Sequence, residues 1–117
     1  MKLVKTVLAA LTLVFFVNLN ASAQDSKTET VKIKTSSVCT MCKATLEKAM
    51  AYEKGVKASN LDVKSQTLTV TYRTDKTNFE NILKAVTATG YDADQLPADQ
   101  RAYDRLNDCC KKDKGIH

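Results

Sequence analysis

The chain has 117 residues with a formal net charge of +5, and 18 basic residues are set against 13 acidic ones. The basic residues are scattered among acids along 27–34, 43–57 and 101–114, with no basic block interleaved with aromatics, so nucleic-acid binding is not indicated. A chain of this size buries one modest core, and its only histidine is the last residue, which leaves no Ser-His or Cys-His catalytic pair for a folded interior. With three glycines there is also no glycine-rich phosphate loop. The expectation is a non-enzymatic protein.

Lys2 and Lys5 precede an apolar run from Val7 to Val17, and Ala21-Ser22-Ala23 supplies small residues at a cleavage position. This is the layout of a secretory signal, residues 1–23, in a run too short to span a membrane. Its removal takes away two lysines and no acid, leaving 16 basic and 13 acidic residues and a net charge of +3. The mature protein is expected to be soluble, exported to a periplasm or the exterior, and to have no membrane contact after cleavage. Residues 24–28 read as a flexible linker.

From Glu29 the pattern turns regular. Val31, Ile33 and Thr35 alternate with Lys32 and Lys34, which predicts a half-buried strand. Cys42 to Lys54 reads as a helix with Leu46 and Met50 facing inward, and Gly55 ends it. Val56 to Val63 predicts a second strand. Thr67 to Arg73 predicts a third, with Leu68, Val70 and Tyr72 alternating against three threonines. Thr77 or Asn78 caps a second helix in which Phe79, Ile82, Leu83 and Val86 share a face, and Gly90 closes it. Tyr91 to Leu96 reads as a short last strand. The expected architecture over 29–96 is α+β and ferredoxin-like, βαββαβ, a four-stranded antiparallel sheet with two helices on one face. Beyond Pro97, Ala98 to Asn107 predicts one short helix carrying Ala102, Tyr103 and Leu106 on one side, followed by Cys109-Cys110 and a terminal His117.

Four cysteines in an exported chain raise the expectation of disulfides. Neither Cys39 with Cys42 nor Cys109 with Cys110 would cross-link distant parts of the chain, whereas pairing between the two groups would close a long loop. The Cys39-Thr40-Met41-Cys42 spacing puts two sulfurs within reach of one ion, where the first strand ends and the first helix begins. A helix N-terminus favours thiolate over thiol. Thiolates are soft donors that select Cu(I), mercury, silver or zinc. Two are too few for a closed structural zinc site, and a thiol–disulfide role is the rival use of the same pair.

The stretch from about Thr30 to Leu96 resembles the heavy-metal-associated domain, whose members include soluble copper chaperones and periplasmic mercury-binding proteins. The matching pieces are Val31-Lys32-Ile33, Cys39-Thr40-Met41-Cys42, Gly55-Val56, Leu68-Thr69-Val70-Thr71-Tyr72 and Thr89-Gly90-Tyr91-Asp92-Ala93. The resemblance implies Cys39 and Cys42 as ligands, Cu(I) as the first candidate ion, and Tyr91 as a shield that is not itself a ligand. It also implies transfer to a metal-transport protein by thiolate exchange, from a monomer or a metal-bridged dimer. One departure stands out: the family has Gly-Met-Thr before the first cysteine, and here the residues are Ser36-Ser37-Val38. Cys109 and Cys110 are further candidate ligands if the tail folds back, alone or with His117; with them a mercury or zinc scavenger becomes the alternative. Met41 could add a weak thioether donor.

Overall fold

The computed structural model describes residues 27–117; the signal segment and most of the linker lie outside the described residues. Three strands, β1 (Thr28–Lys34), β2 (Val56–Asp62) and β3 (Thr67–Arg73), form an antiparallel sheet in the order β1-β3-β2. The register pairs Ile33 with Leu68, Val31 with Val70 and Leu61 with Leu68. Period-2 alternation therefore gathers the large apolar side chains on one side of the sheet. The threonines of β3 take the other side, where Thr30 and Thr71 share a hydroxyl hydrogen bond of 2.9 Å.

Helices α1 (Thr40–Tyr52) and α2 (Phe79–Thr89) cover the apolar side. Leu46, Met50, Ile82 and Val86 are fully buried there, each worth about 1.5–3 kcal/mol relative to exposure. Asn78 caps α2, its side chain accepting from the Asn81 N–H at 2.8 Å. A third, short helix, α3 (Gln100–Asp104), is capped by Asp99. Two 3₁₀ turns, Asp108–Cys110 and Lys112–Lys114, end the chain. Among the described residues no helix is long and apolar enough to cross a membrane.

The first helix and the second strand end one or two residues early, at Tyr52 and Asp62, and four larger differences from the sequence-based expectation stand beside these. The first strand starts at Thr28, because the Lys27 carbonyl accepts from the Thr74 N–H at 2.7 Å and draws the end of the expected linker onto the sheet. The first helix starts at Thr40, before Cys42, since the Cys39 carbonyl already accepts from the Lys43 N–H. The tail helix covers only Gln100–Asp104, its start fixed by Asp99 and its last turn closed by 3₁₀-type bonds. The expected fourth strand is not formed. Ala93 makes a single bridge to Thr35, and the next residue, Asp94, sits at φ 51. That left-handed residue turns the chain out of the extended region, and its carboxylate takes the Lys34 N–H at 2.8 Å, the place of a ladder carbonyl.

Glu47 ties α1 to β2. Its carboxylate accepts from Lys43 Nζ and, at 2.7 Å, from the Leu61 N–H. Burial raises its pKa, but the hydrogen bonds from Lys43 and Leu61 outweigh this and leave the carboxyl below the ordinary range. A lowered carboxyl stabilises the fold above its unfolded pKa and loses that contribution as pH falls through the folded value. Glu47→Ala should therefore cost about 1–2 kcal/mol at neutral pH, with a smaller cost in acid, measured by urea unfolding at both pH values.

Candidate metal centre

The loop 35–39 leads from β1 into α1 and is fixed by polar side chains. Ser37 is buried, its hydroxyl 2.8 Å from that of Thr35 and its carbonyl accepting from Gln66 Nε2 at 2.8 Å. Ser37 thus anchors by hydrogen bonds the position where the family places a methionine. Cys39 occupies the cap position of α1 with an extended backbone, but its side chain makes no capping bond. Its sulfur is free to face elsewhere.

It faces Cys42, one helical turn on, at 3.3 Å. That distance is well beyond a disulfide bond of about 2.05 Å, and all four cysteines are free thiols. The tail brings a third sulfur: Cys110 Sγ lies 3.8 Å from Cys39 Sγ. The sulfurs of Cys39, Cys42 and Cys110 all fall within 4.8 Å of one another. The three residues are 5%, 0% and 2% exposed, so the cluster is closed to solvent. Burial, then hydrogen bonding with Cys42 and Cys39, pushes the Cys110 thiol well above its ordinary pKa. In the ion-free protein it is held as a thiol, and a bound cation offsets that cost by displacing the proton.

Tyr91 is fully buried beside the cluster. Its phenol is pushed far up, first by burial and then by Cys42 and Cys110. The hydroxyl faces those sulfurs without good hydrogen-bond geometry, and it is the one buried side-chain polar atom without a partner among the described residues. An unpartnered buried hydroxyl costs roughly 1–3 kcal/mol. Tyr91→Phe should thus raise the stability of the reduced, ion-free protein by about 1 kcal/mol in thermal or urea unfolding; a loss of similar size would show that the sulfurs are true partners.

Asp92 ties the tail to the loop 35–39. Its N–H donates to Ser36 Oγ at 2.9 Å, and its carboxylate accepts from the Ala98 N–H at 2.8 Å and from Lys112 Nζ at 3.2 Å. The terminal His117 N–H reaches the Val38 carbonyl at 2.7 Å. These residues carried no sequence signal beyond Asp92's place in the Gly-Tyr-Asp-Ala run. The two tail cysteines separate: Cys110 joins the cluster, while Cys109 turns to Met41 Sδ at 3.7 Å. The His117 ring is exposed and bonded to the Gly115 carbonyl, away from the sulfurs.

Residues 36–92 match the family model of the heavy-metal-associated domain. No curated protein matches the chain. Among solved structures it is similar in fold to one described as CopZ metallochaperone, at 21% identity and a TM-score of 0.54, over 56% of this chain and 98% of that one. It is similar to oxidized MerP from Ralstonia metallidurans CH34 at 27% identity and a TM-score of 0.54, over 56% and 93%. A third structure, described under crosstalk between Cu(I) and Zn(II) homeostasis, matches at 25% identity and a TM-score of 0.51, over 56% and 94%.

Proposed function

With residues 36–92 a heavy-metal-associated domain, we propose that the protein is an exported binder of a soft metal ion, foremost a Cu(I) chaperone or buffer. Cys39 and Cys42 are the primary ligands, and Cys110 is the third sulfur of the cluster, a ligand when the ion is divalent. The observation that carries this is the buried, unbonded cluster of three sulfurs within 4.8 Å. Thiols packed this closely gain only weak S–H···S contacts as neutral groups, and as thiolates they repel. A soft cation satisfies them. Tyr91 closes the site from inside and excludes water. Export is the part of the proposal that rests on residues 1–23.

Charge counting sets the rival ion. Cu(I) on three buried thiolates leaves two net negative charges in an apolar setting, which is costly. Cu(I) is therefore held by the Cys39 and Cys42 thiolates with Cys110 close by as a neutral thiol. A divalent ion leaves only one net charge on three thiolates, and this favours Hg(II) or Zn(II) as the second reading. The two differ by one proton released, the one that leaves Cys110 when a divalent ion binds.

Anaerobic metal analysis of protein purified from its native host tests the proposal. Copper near one equivalent, taken up on reloading with one proton fewer released than Hg(II) releases from the same protein, is the expected result. Mercury or zinc in place of copper would shift the assignment to the second reading. Protein that takes up none of these ions when reduced would overturn both.

A further inference from the structure

We propose that Cys109 and Met41 form the port through which the ion enters and leaves the buried cluster; this rests on the reading of Cys39, Cys42 and Cys110 as the ion's holders. Those three sulfurs are closed to solvent, so a partner's thiol cannot reach an ion on them in this conformation. Cys109 and Met41 can be reached. Cys109 is only partly buried, and Met41 is 46% exposed although it lies between the two cysteines of the loop.

The outer sulfurs are continuous with the inner ones. Met41 Sδ lies 3.7 Å from Cys109 Sγ, Cys109 Sγ lies 3.9 Å from Cys110 Sγ, and Cys110 Sγ lies 3.8 Å from Cys39 Sγ. Asn107 Nδ2 donates to Met41 Sδ at 2.9 Å and holds the thioether at the end of this row. A thioether is a weak acceptor, and an exposed methionine has many rotamers to lose, so stability alone does not account for the arrangement. The vicinal pair makes it possible. In a 3₁₀ turn successive side chains point about 120° apart, so Cys110 points inward while Cys109 stays at the surface.

An incoming soft cation binds first to Cys109 and the Met41 thioether, and the Cys109 thiol gives its proton to water as its sulfur–metal bond forms. The ion then bonds to Cys110, whose thiol proton passes to the Cys109 sulfur as the bonds to Met41 and Cys109 break. Bonds to Cys39 and Cys42 follow as Cys110 releases the ion and takes back one proton from that pair, any other passing to water. No oxidation state changes. Exit is the reverse, with a partner's thiolate attacking the ion at Cys109.

The test separates rate from affinity. The whole chain, loaded with Cu(I) under anaerobic conditions, is mixed with excess bicinchoninate in a stopped-flow instrument, and the same chelator at equilibrium gives the affinity. In Cys109→Ser, removal should slow about tenfold, and in Met41→Leu several-fold, with affinity held within about threefold. Both side chains lie at the surface, and circular dichroism checks that the variants fold. Unchanged rates in both variants would overturn the port while leaving the inner site intact. Affinity that falls in step with the rate would also overturn it, making Cys109 a holding ligand. A wild-type chain that takes up no Cu(I) would remove the inner site and the port together.

Discussion

Replacing Cys39 and Cys42 together by serine should abolish tight Cu(I) uptake, with affinity falling on the order of 10⁴-fold or more in anaerobic chelator competition. The size of the effect follows from the chemistry of the donors. A serine hydroxyl stays protonated and hard where the thiolate was charged and polarisable, so both the Coulomb attraction and the softness match are lost. Cys110 alone cannot replace them, because it offers one sulfur bond where the pair offers two. The fold should survive, since the substitution changes volume little, although a hydroxyl at the fully buried Cys42 position costs about 1–3 kcal/mol if unpaired. Urea unfolding therefore accompanies the binding measurement. Equal uptake by the double variant would move the site to the tail.

The second large effect is on stability and acts through the tail. Gly90 ends α2 at φ 112, a conformation that strains any residue with a Cβ. A Cβ built there would meet the Ala102 carbonyl oxygen at 3.0 Å and Leu106 Cδ2 at 3.2 Å. Gly90→Ala should cost about 2–3 kcal/mol, which in a domain of this size lowers the melting temperature by roughly 10–20 °C. Relief by pushing α3 away would also draw Cys110 from the cluster. The variant should accordingly lose the third sulfur before it loses the fold, seen as fewer protons released on Hg(II) binding at temperatures where circular dichroism is still native.

Legibility in the sequence followed the strength of local pattern. The threonine–apolar alternation of 67–73 gave the third strand to the residue, because period 2 on a half-buried sheet leaves no competing reading. Gly90 marked the end of α2, and the cap was narrowed to Thr77 or Asn78, of which the structure takes Asn78 as the side-chain acceptor. Cys39 and Cys42 stood out by spacing. The fourth strand did not form because one residue, Asp94, takes a left-handed turn, and no aspartate announces its φ in advance.

The tail was the least legible part. Both Cys109 and Cys110 stood as candidates, and the choice between them depends on how a 3₁₀ turn is rotated on the core, a tertiary outcome set by the Asp92–Lys112 tie and the His117–Val38 bond. Ser37 shows the same limit from the other direction. In the sequence it is only a departure from the family pattern, yet Thr35 and Gln66, distant from each other in sequence, supply the partners that pin it. The unpartnered Tyr91 hydroxyl was invisible to sequence, since only the packed structure shows that nothing meets it.

Copper-edge X-ray absorption of the anaerobically loaded whole chain reads the donor atoms themselves. A first shell of sulfur alone, absent when Cys39 and Cys42 are both serine, is the predicted spectrum. Nitrogen or oxygen donors in that shell, or a sulfur shell that persists unchanged in the double variant, would contradict a site built on these two thiolates.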